Sequence, residues 1–247
     1  AALVGEAQRV IASGKAEELR LGAGSPLIDI RLPCGSGIDL LIMPDPDAKA
    51  LHRVRTRLSA REPVELVLNR DGMVIAREAE ADEHTGWQGD GFRLRINPQL
   101  RLVIAGHGEE VTALHALARA WGTETWVLTP DERLAAELGS TAVLLKTPAA
   151  IPALNLDRWS ALVMLFHDHD WEVPLLAKAL EQHAFYLGAM GSPATHQRRL
   201  EALAQIGVPS DTAALIRGPI GLIPAARDPQ TLALSVLAEV VATYNAG

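Results

Sequence analysis

Four stretches of this 247-residue sequence set reactive side chains against glycine or proline. Pro33-Cys34-Gly35-Ser36-Gly37 holds the only cysteine. A turn of this composition leaves a thiol little covered, and neighbouring amides can stabilise a thiolate, the form that binds soft metals and sulfur species. The alternative is an inert small side chain beside a turn. Gly106-His107-Gly108-Glu109-Glu110-Val111 follows an apolar run, where glycines bring backbone amides against a phosphate at a helix N-terminus. Val111 stands in place of a third glycine, and Thr129 where a ribose-binding carboxylate is expected. Thr129-Pro130-Asp131-Glu132 instead reads as a helix cap at Thr129 with proline first in the helix. Either a dinucleotide or a purely structural turn fits.

His167-Asp168-His169-Asp170 follows another apolar run, at the strand end where open α/β sheets bind ligands. It can be a metal pair without a third ligand, a contact to a metal-free ligand, or the cap of a helix over Glu172 to Glu181. Gly188-Ala189-Met190-Gly191-Ser192-Pro193-Ala194-Thr195-His196-Gln197-Arg198-Arg199 predicts a helix capped by Ser192, with outward amides and a nearby arginine able to hold an anion. A solvated basic helix face is the plainer alternative. Arg217-Gly218-Pro219-Ile220-Gly221-Leu222-Ile223-Pro224 reads as a rigid loop before a last helix capped by Asp228.

The elements that must hold these groups fall into two sets. Pro26 to Arg31 and Ile38 to Met43 read as strands, and Val4 to Leu19 and Asp47 to Leu58 as helices. Val64 to Leu68 and Met73 to Arg77 flank the Asp71-Gly72 hairpin signal. Residues 1–97 therefore predict a small α+β domain. In residues 98–247, apolar runs at 102–105, 125–128, 142–145, 161–165 and 184–187 do not alternate, as suits strands buried on both faces. Helical segments between most of them predict a parallel, Rossmann-like α/β sheet. Val4 opens inside a helical pattern, so the chain is expected to be a fragment.

Apolar residues make up 48% of the chain, enough for real cores. A net charge of -7, without a basic run or interleaved aromatics, gives no footprint for nucleic acid. One cysteine cannot form an intramolecular disulfide and no charged-then-apolar leader opens the chain, which fits a cytoplasmic protein. The apolar stretch from Leu232 to Glu239 is too short for stable membrane insertion.

Taken in order, Pro33-Cys34-Gly35, Gly106-x-Gly108, His167-Asp168-His169, Tyr186-x-Gly188-x-x-Gly191-Ser192 with Thr195 and Arg198, and Pro219-Ile220-Gly221-Leu222 followed by Ser235-x-x-x-Glu239 resemble the xanthine dehydrogenase accessory family of the XdhC/CoxI type. The resemblance covers nearly the whole chain. It implies a non-catalytic maturation factor, or chaperone, that binds molybdenum cofactor (molybdopterin). Such a factor holds the cofactor while a cysteine desulfurase exchanges a terminal oxygen for sulfur, then delivers it to an apo molybdenum hydroxylase of the xanthine dehydrogenase type. The cofactor-binding residues it implies are Cys34, Gly35, Gly106, Gly108, His167, Asp168, His169, Gly188, Gly191, Ser192, Thr195, Arg198, Pro219 and Gly221, with Cys34 beside the metal. The sequence departs from the family pattern at Ile223, where an aspartate is common, and at Pro193, where arginine is. A homodimer is the expected assembly. The competing readings are an NAD(P)-dependent oxidoreductase and a regulatory nucleotide-binding module.

Overall fold

The computed structural model describes residues 2–25, 35–69, 74–79, 85–89, 91–167 and 169–246. It divides into two units, Ala1–Pro98 and Gln99–Gly247. Cys34, Asp168, the expected strand over Pro26 to Arg31 and the Asp71-Gly72 turn lie outside the described residues.

In the first unit the opening helix α1 (Ala2–Ser13) is shorter than its sequence pattern predicts. Gly14 ends it with φ +66°, and the alternation Glu18-Leu19-Arg20-Leu21 then forms strand β1 (Glu17–Gly22). Period-2 alternation puts Leu21 inward and leaves Arg20 on the open face, where it pairs with Asp39 at 2.7 Å. The partner strand is β2 (Gly37–Ile42), antiparallel to β1. Helix α2 (Ala48–Ser59) is capped by the Asp47 carboxylate, which accepts from Lys49 N at 2.8 Å. Strands β3 (Val64–Asn69), β4 (Val74–Glu78), β5 (Gly86–Gln88) and β6 (Gly91–Ile96) form an antiparallel sheet in the order β4-β3-β6-β5. Val64, Leu66, Val74 and Ala76 pack with Ala50 of α2 on one face. On the other, buried Glu65 is ion-paired to Arg77.

The second unit is an α/β domain around a six-stranded parallel sheet, as its unalternating apolar runs predict. Its elements are β7 (Arg101–Gly106), α3 (Glu109–Trp121), β8 (Glu124–Thr129), α4 (Glu132–Leu138), β9 (Ala142–Leu144), β10 (Ser160–Leu165), α5 (His169–Leu180), β11 (Tyr186–Ala189), α6 (Pro193–Gln205), α7 (Ser210–Ala213), β12 (Ile216–Arg217) and α8 (Pro229–Ala246). β11 lies two residues beyond its predicted start, and β12 carries too few apolar residues to announce itself. No helix occupies the stretch between β9 and β10.

β7 and β10 are buried along their whole length because both faces of the sheet are covered. Leu102, Ile104, Ala161, Val163 and Leu165 point to the side of α3 and α8. Val103, Ala105, Leu162 and Met164 point to the side of α5 and α6. Fully burying one such aliphatic side chain contributes about 1.5–3 kcal/mol, so these paired layers fix the sheet order. That order is β12-β11-β10-β7-β8-β9. The chain runs outward from β7 through β8 to β9, then returns to β10 on the other side of β7. The direction of winding therefore reverses between β7 and β10, and ligands of open α/β sheets bind beyond the carboxyl ends of the strands at such a point. Among the described residues no helix is long and apolar enough to cross a membrane.

Candidate functional site

Beyond the carboxyl ends of β7, β10, β11 and β12 lies a cavity of about 330 Å³. Glu110 enters it from the first turn of α3, Phe166 and His167 from the end of β10, and Met190, Gly191 and Thr195 from the turn between β11 and α6. Pro219, Ile220, Ile223, Ala225 and Ala226 close it from the loop after β12, with Leu232 from α8.

Close backbone approach shapes this edge. A Cβ on Gly106 would lie 2.5 Å from the carbonyl oxygen of Leu165, so only glycine lets β7 and β10 end side by side here. Gly191 has φ +134°, and a Cβ on it would meet the Thr195 side chain at 2.9 Å. Ser192 caps α6 as its sequence predicts, its Oγ accepting from Thr195 N at 3.1 Å. The loop after β12 is tied to α8 by two side chains one helical turn apart. Ser235 Oγ accepts from Ile223 N at 2.7 Å, and the Glu239 carboxylate accepts from Gly221 N. Asp228 caps α8, accepting from Thr231 N at 2.8 Å, and those amide contacts hold its carboxyl below the usual range.

Beneath the turn before α6 sits a buried ion pair. Arg199, fully buried, donates through Nε and Nη2 to the two oxygens of equally buried Glu172 at 3.1 and 3.0 Å. Nη2 also donates to the carbonyl of Met190 at 2.6 Å. Nη1 lies 3.1 Å from His196 Nδ1, and since a guanidinium only donates, that nitrogen accepts and the ring proton sits on Nε2. Burial, reinforced by the Arg199 charge, holds the His196 pKa below its ordinary value. Tyr186 at the start of β11 is another buried polar group, and its hydroxyl has no hydrogen-bond partner among the described residues. Burial pushes its phenol above the ordinary tyrosine value, and the nearby Glu239 carboxylate pushes it the same way.

Of the residues singled out from sequence, His167, Gly191, Thr195 and Pro219 meet at the cavity. Gly106 and Gly108 shape the adjoining turn, Gly108 preceding α3 with φ +89°. Gly188 packs against Tyr186 and Ile220, and Gly221 against Ser235. Gly35 is exposed in the first unit with φ +69°. His169 does not join His167. The helix α5 begins at His169, three residues ahead of its predicted start, and the ring turns back to Glu172 with Nδ1 3.0 Å from Oε2. His167 instead lies 3.8 Å from Glu110, its ring centroid 5.9 Å from that of His107. Among the described residues no cluster of metal-ligating side chains occurs. The cap expected at Thr129 falls two residues later. Asp131 accepts from Arg133 N and Leu134 N, while buried Thr129 ends β8 and its Oγ1 accepts from Asp131 N.

Arg198 is exposed, its guanidinium 3.5 Å from Thr195 Oγ1. Sequence reasoning offered Arg198 and Arg199 alike as arginines near an anion and missed the buried pairing of Arg199 with Glu172. A legible signal existed: Arg199 shares a helical face with Leu203, four residues on, and that face is buried.

A doubly wound domain with a cleft at its switch point is the class this geometry defines. Within that class, residues 102–240 match the model of the XdhC Rossmann domain. The chain belongs to the XdhC family. The molybdenum cofactor insertion chaperone PaoD of Escherichia coli (strain K12) is 38% identical to it over 240 residues, 97% of this chain and 70% of that protein. The uncharacterized protein YqeB of the same organism is 32% identical over 97 residues, 39% of this chain and 18% of that protein. A crystal structure described as a xanthine dehydrogenase from Bacillus halodurans superimposes with a TM-score of 0.74 at 21% identity, covering 99% of this chain and 80% of that one. At that identity the likeness establishes the fold.

Proposed function

We propose that this protein binds molybdenum cofactor in the cleft of its second unit, holds it for sulfuration by a cysteine desulfurase, and inserts it into an apo molybdenum hydroxylase of the xanthine dehydrogenase type. The observation that carries the reading is the cleft itself, bounded by Glu110, His167, Gly191, Thr195 and Pro219 at the switch point of the sheet. Membership of the XdhC family and the 38% identity to a protein named as a molybdenum cofactor insertion chaperone support the choice of ligand.

The residues present suit such a cargo. Phe166, Met190, Ile220 and Ile223 offer apolar contact for a planar pterin, and the capped start of α6 offers amides and a dipole for its phosphate. Arg198, one turn along α6, adds a charge for that phosphate. By its chemistry alone, the Cys34 thiol of the first unit is a soft donor of the kind that suits molybdenum. The same protein acts as a homodimer in the cytoplasm, and Glu110 at the cleft wall weighs against a dinucleotide in the same place.

The test is to load purified protein with molybdenum cofactor, measure molybdenum content and cofactor absorbance, and follow transfer to a purified apo-hydroxylase with and without a desulfurase and cysteine. Stoichiometric cofactor and restored hydroxylase activity are expected. Arg198→Ala should hold the phosphorylated cofactor roughly ten- to a hundredfold less tightly, from a charge-assisted contact of about 1.5–3 kcal/mol. Failure of the wild type to retain cofactor, or tight NADH binding in its place, overturns the reading.

A further inference from the structure

Arg199 does more in this geometry than balance a buried charge. Its Nη2–H grips the carbonyl oxygen of Met190 at 2.6 Å from inside the domain. In a trans peptide the carbonyl and the following N–H point in opposite directions. The Met190–Gly191 peptide thus turns the Gly191 amide away from the guanidinium, and Gly191 itself borders the cavity. That amide makes no hydrogen bond to any described residue. Glu172 holds both Nε and Nη2, so the guanidinium plane cannot rotate without breaking a buried ion pair. Nη1 engages His196, whose ring packs against the Cα of Gly218, next to Pro219 on the opposite wall.

We infer that Arg199, fixed by Glu172, is a positioning residue that presets the Gly191 amide as a donor to a tetrahedral oxyanion, such as a phosphate monoester, bound between the α6 turn and the Pro219 loop. The inference rests on the cofactor reading only for the molecule that owns the phosphate. A preset donor costs no reorganisation when the anion arrives, which is why the orienting contact is worth burying. A guanidinium is required because only a planar fork holds a carboxylate in two places and a carbonyl in a third direction; a lysine ammonium is a point charge.

The experiment uses the full chain, nitrogen-15 labelled and titrated with inorganic phosphate. The Gly191 amide resonance of the wild type should move downfield and saturate. If it stays still while neighbouring amides respond, or if no amide responds, the inference is overturned without any variant. In Arg199→Lys the Gly191 response should vanish and phosphate bind at least tenfold more weakly. Gly191→Ala, strained at φ +134°, should reproduce the loss with Arg199 in place. A comparison with molybdenum cofactor and its dephosphorylated form then separates roles. Arg199→Lys should lose the preference for the phosphorylated form and keep wild-type affinity for the other. An equal fall for both forms reduces Arg199 to a structural residue and overturns the proposal. A wild type that binds neither form, yet shows the Gly191 response, overturns the cofactor reading and leaves the preset donor standing.

Discussion

Ser235 Oγ, buried on α8, accepts the backbone N–H of Ile223 at 2.7 Å, and the Ser235 carbonyl accepts Leu222 N at 3.3 Å. One residue of the last helix thus anchors the loop that closes the cleft. Ser235→Ala removes the first contact and leaves an amide facing an apolar methyl, a cost of about 1–3 kcal/mol. Cofactor affinity should fall while the sheet stays intact. Urea unfolding monitored by circular dichroism, beside a cofactor titration, checks both; an unchanged affinity would detach this loop from binding.

The pH dependence of stability follows from buried imidazoles. His115 on α3 is buried, its Nδ1 has no hydrogen-bond partner among the described residues, and burial first, Arg119 second, holds its pKa below the ordinary value. His196 is shifted the same way. A folded-state pKa below the unfolded one means the unfolded chain binds more protons as pH falls through about 6.5, so stability is full above that value and declines below it. The slope is at most about 1.4 kcal/mol per pH unit for each such proton. Unfolding free energies measured from pH 8 to pH 5 should fall toward acid, and His115→Gln should flatten the curve. A slope of opposite sign in the wild type would contradict the burial argument.

The parallel sheet was legible because its strands are buried on both faces and read as plain apolar runs, and Ser192 and Asp228 announced their helices by cap chemistry. Three features were not. The strand over Glu17–Gly22 carries charges that also suit a helix, and only Gly14 breaks the pattern. β12 is a pair of residues held by its neighbour β11. Arg198 and Arg199 are the same residue type side by side, and spacing alone does not tell the exposed one from the buried one that organises the turn. His167 and His169 do not converge for a related reason: the helix begins at the second histidine and turns it to Glu172, a tertiary preference that spacing does not encode.

Cys34 carries a prediction from its chemistry, since it lies outside the described residues. A soft thiolate favours molybdenum over a hydroxyl in the same position. Cys34→Ser should fold with wild-type stability and retain less molybdenum after cofactor loading and desalting. Metal analysis together with the cofactor dissociation rate measures this. Equal stoichiometry and equal rate would remove the thiol from the cofactor's surroundings.

The first glycine turn opposes the ligand its fold usually takes. Glu109 and Glu110 occupy the first turn of α3, where the helix dipole favours carboxylates and a pyrophosphate would need the same positive end. Glu110 also borders the cleft, with His167 3.8 Å away. Val111, fully buried against the sheet, takes the place of the glycine that would let helix and strand close up. At the end of β8, where a carboxylate would hold a ribose, Thr129 is buried and spends its oxygen on Asp131 N. NAD and NADP should therefore bind no tighter than about a millimolar, equivalent to about 4 kcal/mol, with no hydride transfer to or from aldehydes or alcohols. Replacing both glutamates by glutamine should tighten dinucleotide binding, because it removes the competing charge and leaves the backbone unchanged. Calorimetric titration of the wild type and the double variant decides the matter. Micromolar affinity in the wild type would make the oxidoreductase reading the better account of this cleft, and no gain in the double variant would show that the carboxylates are not what keeps a dinucleotide out.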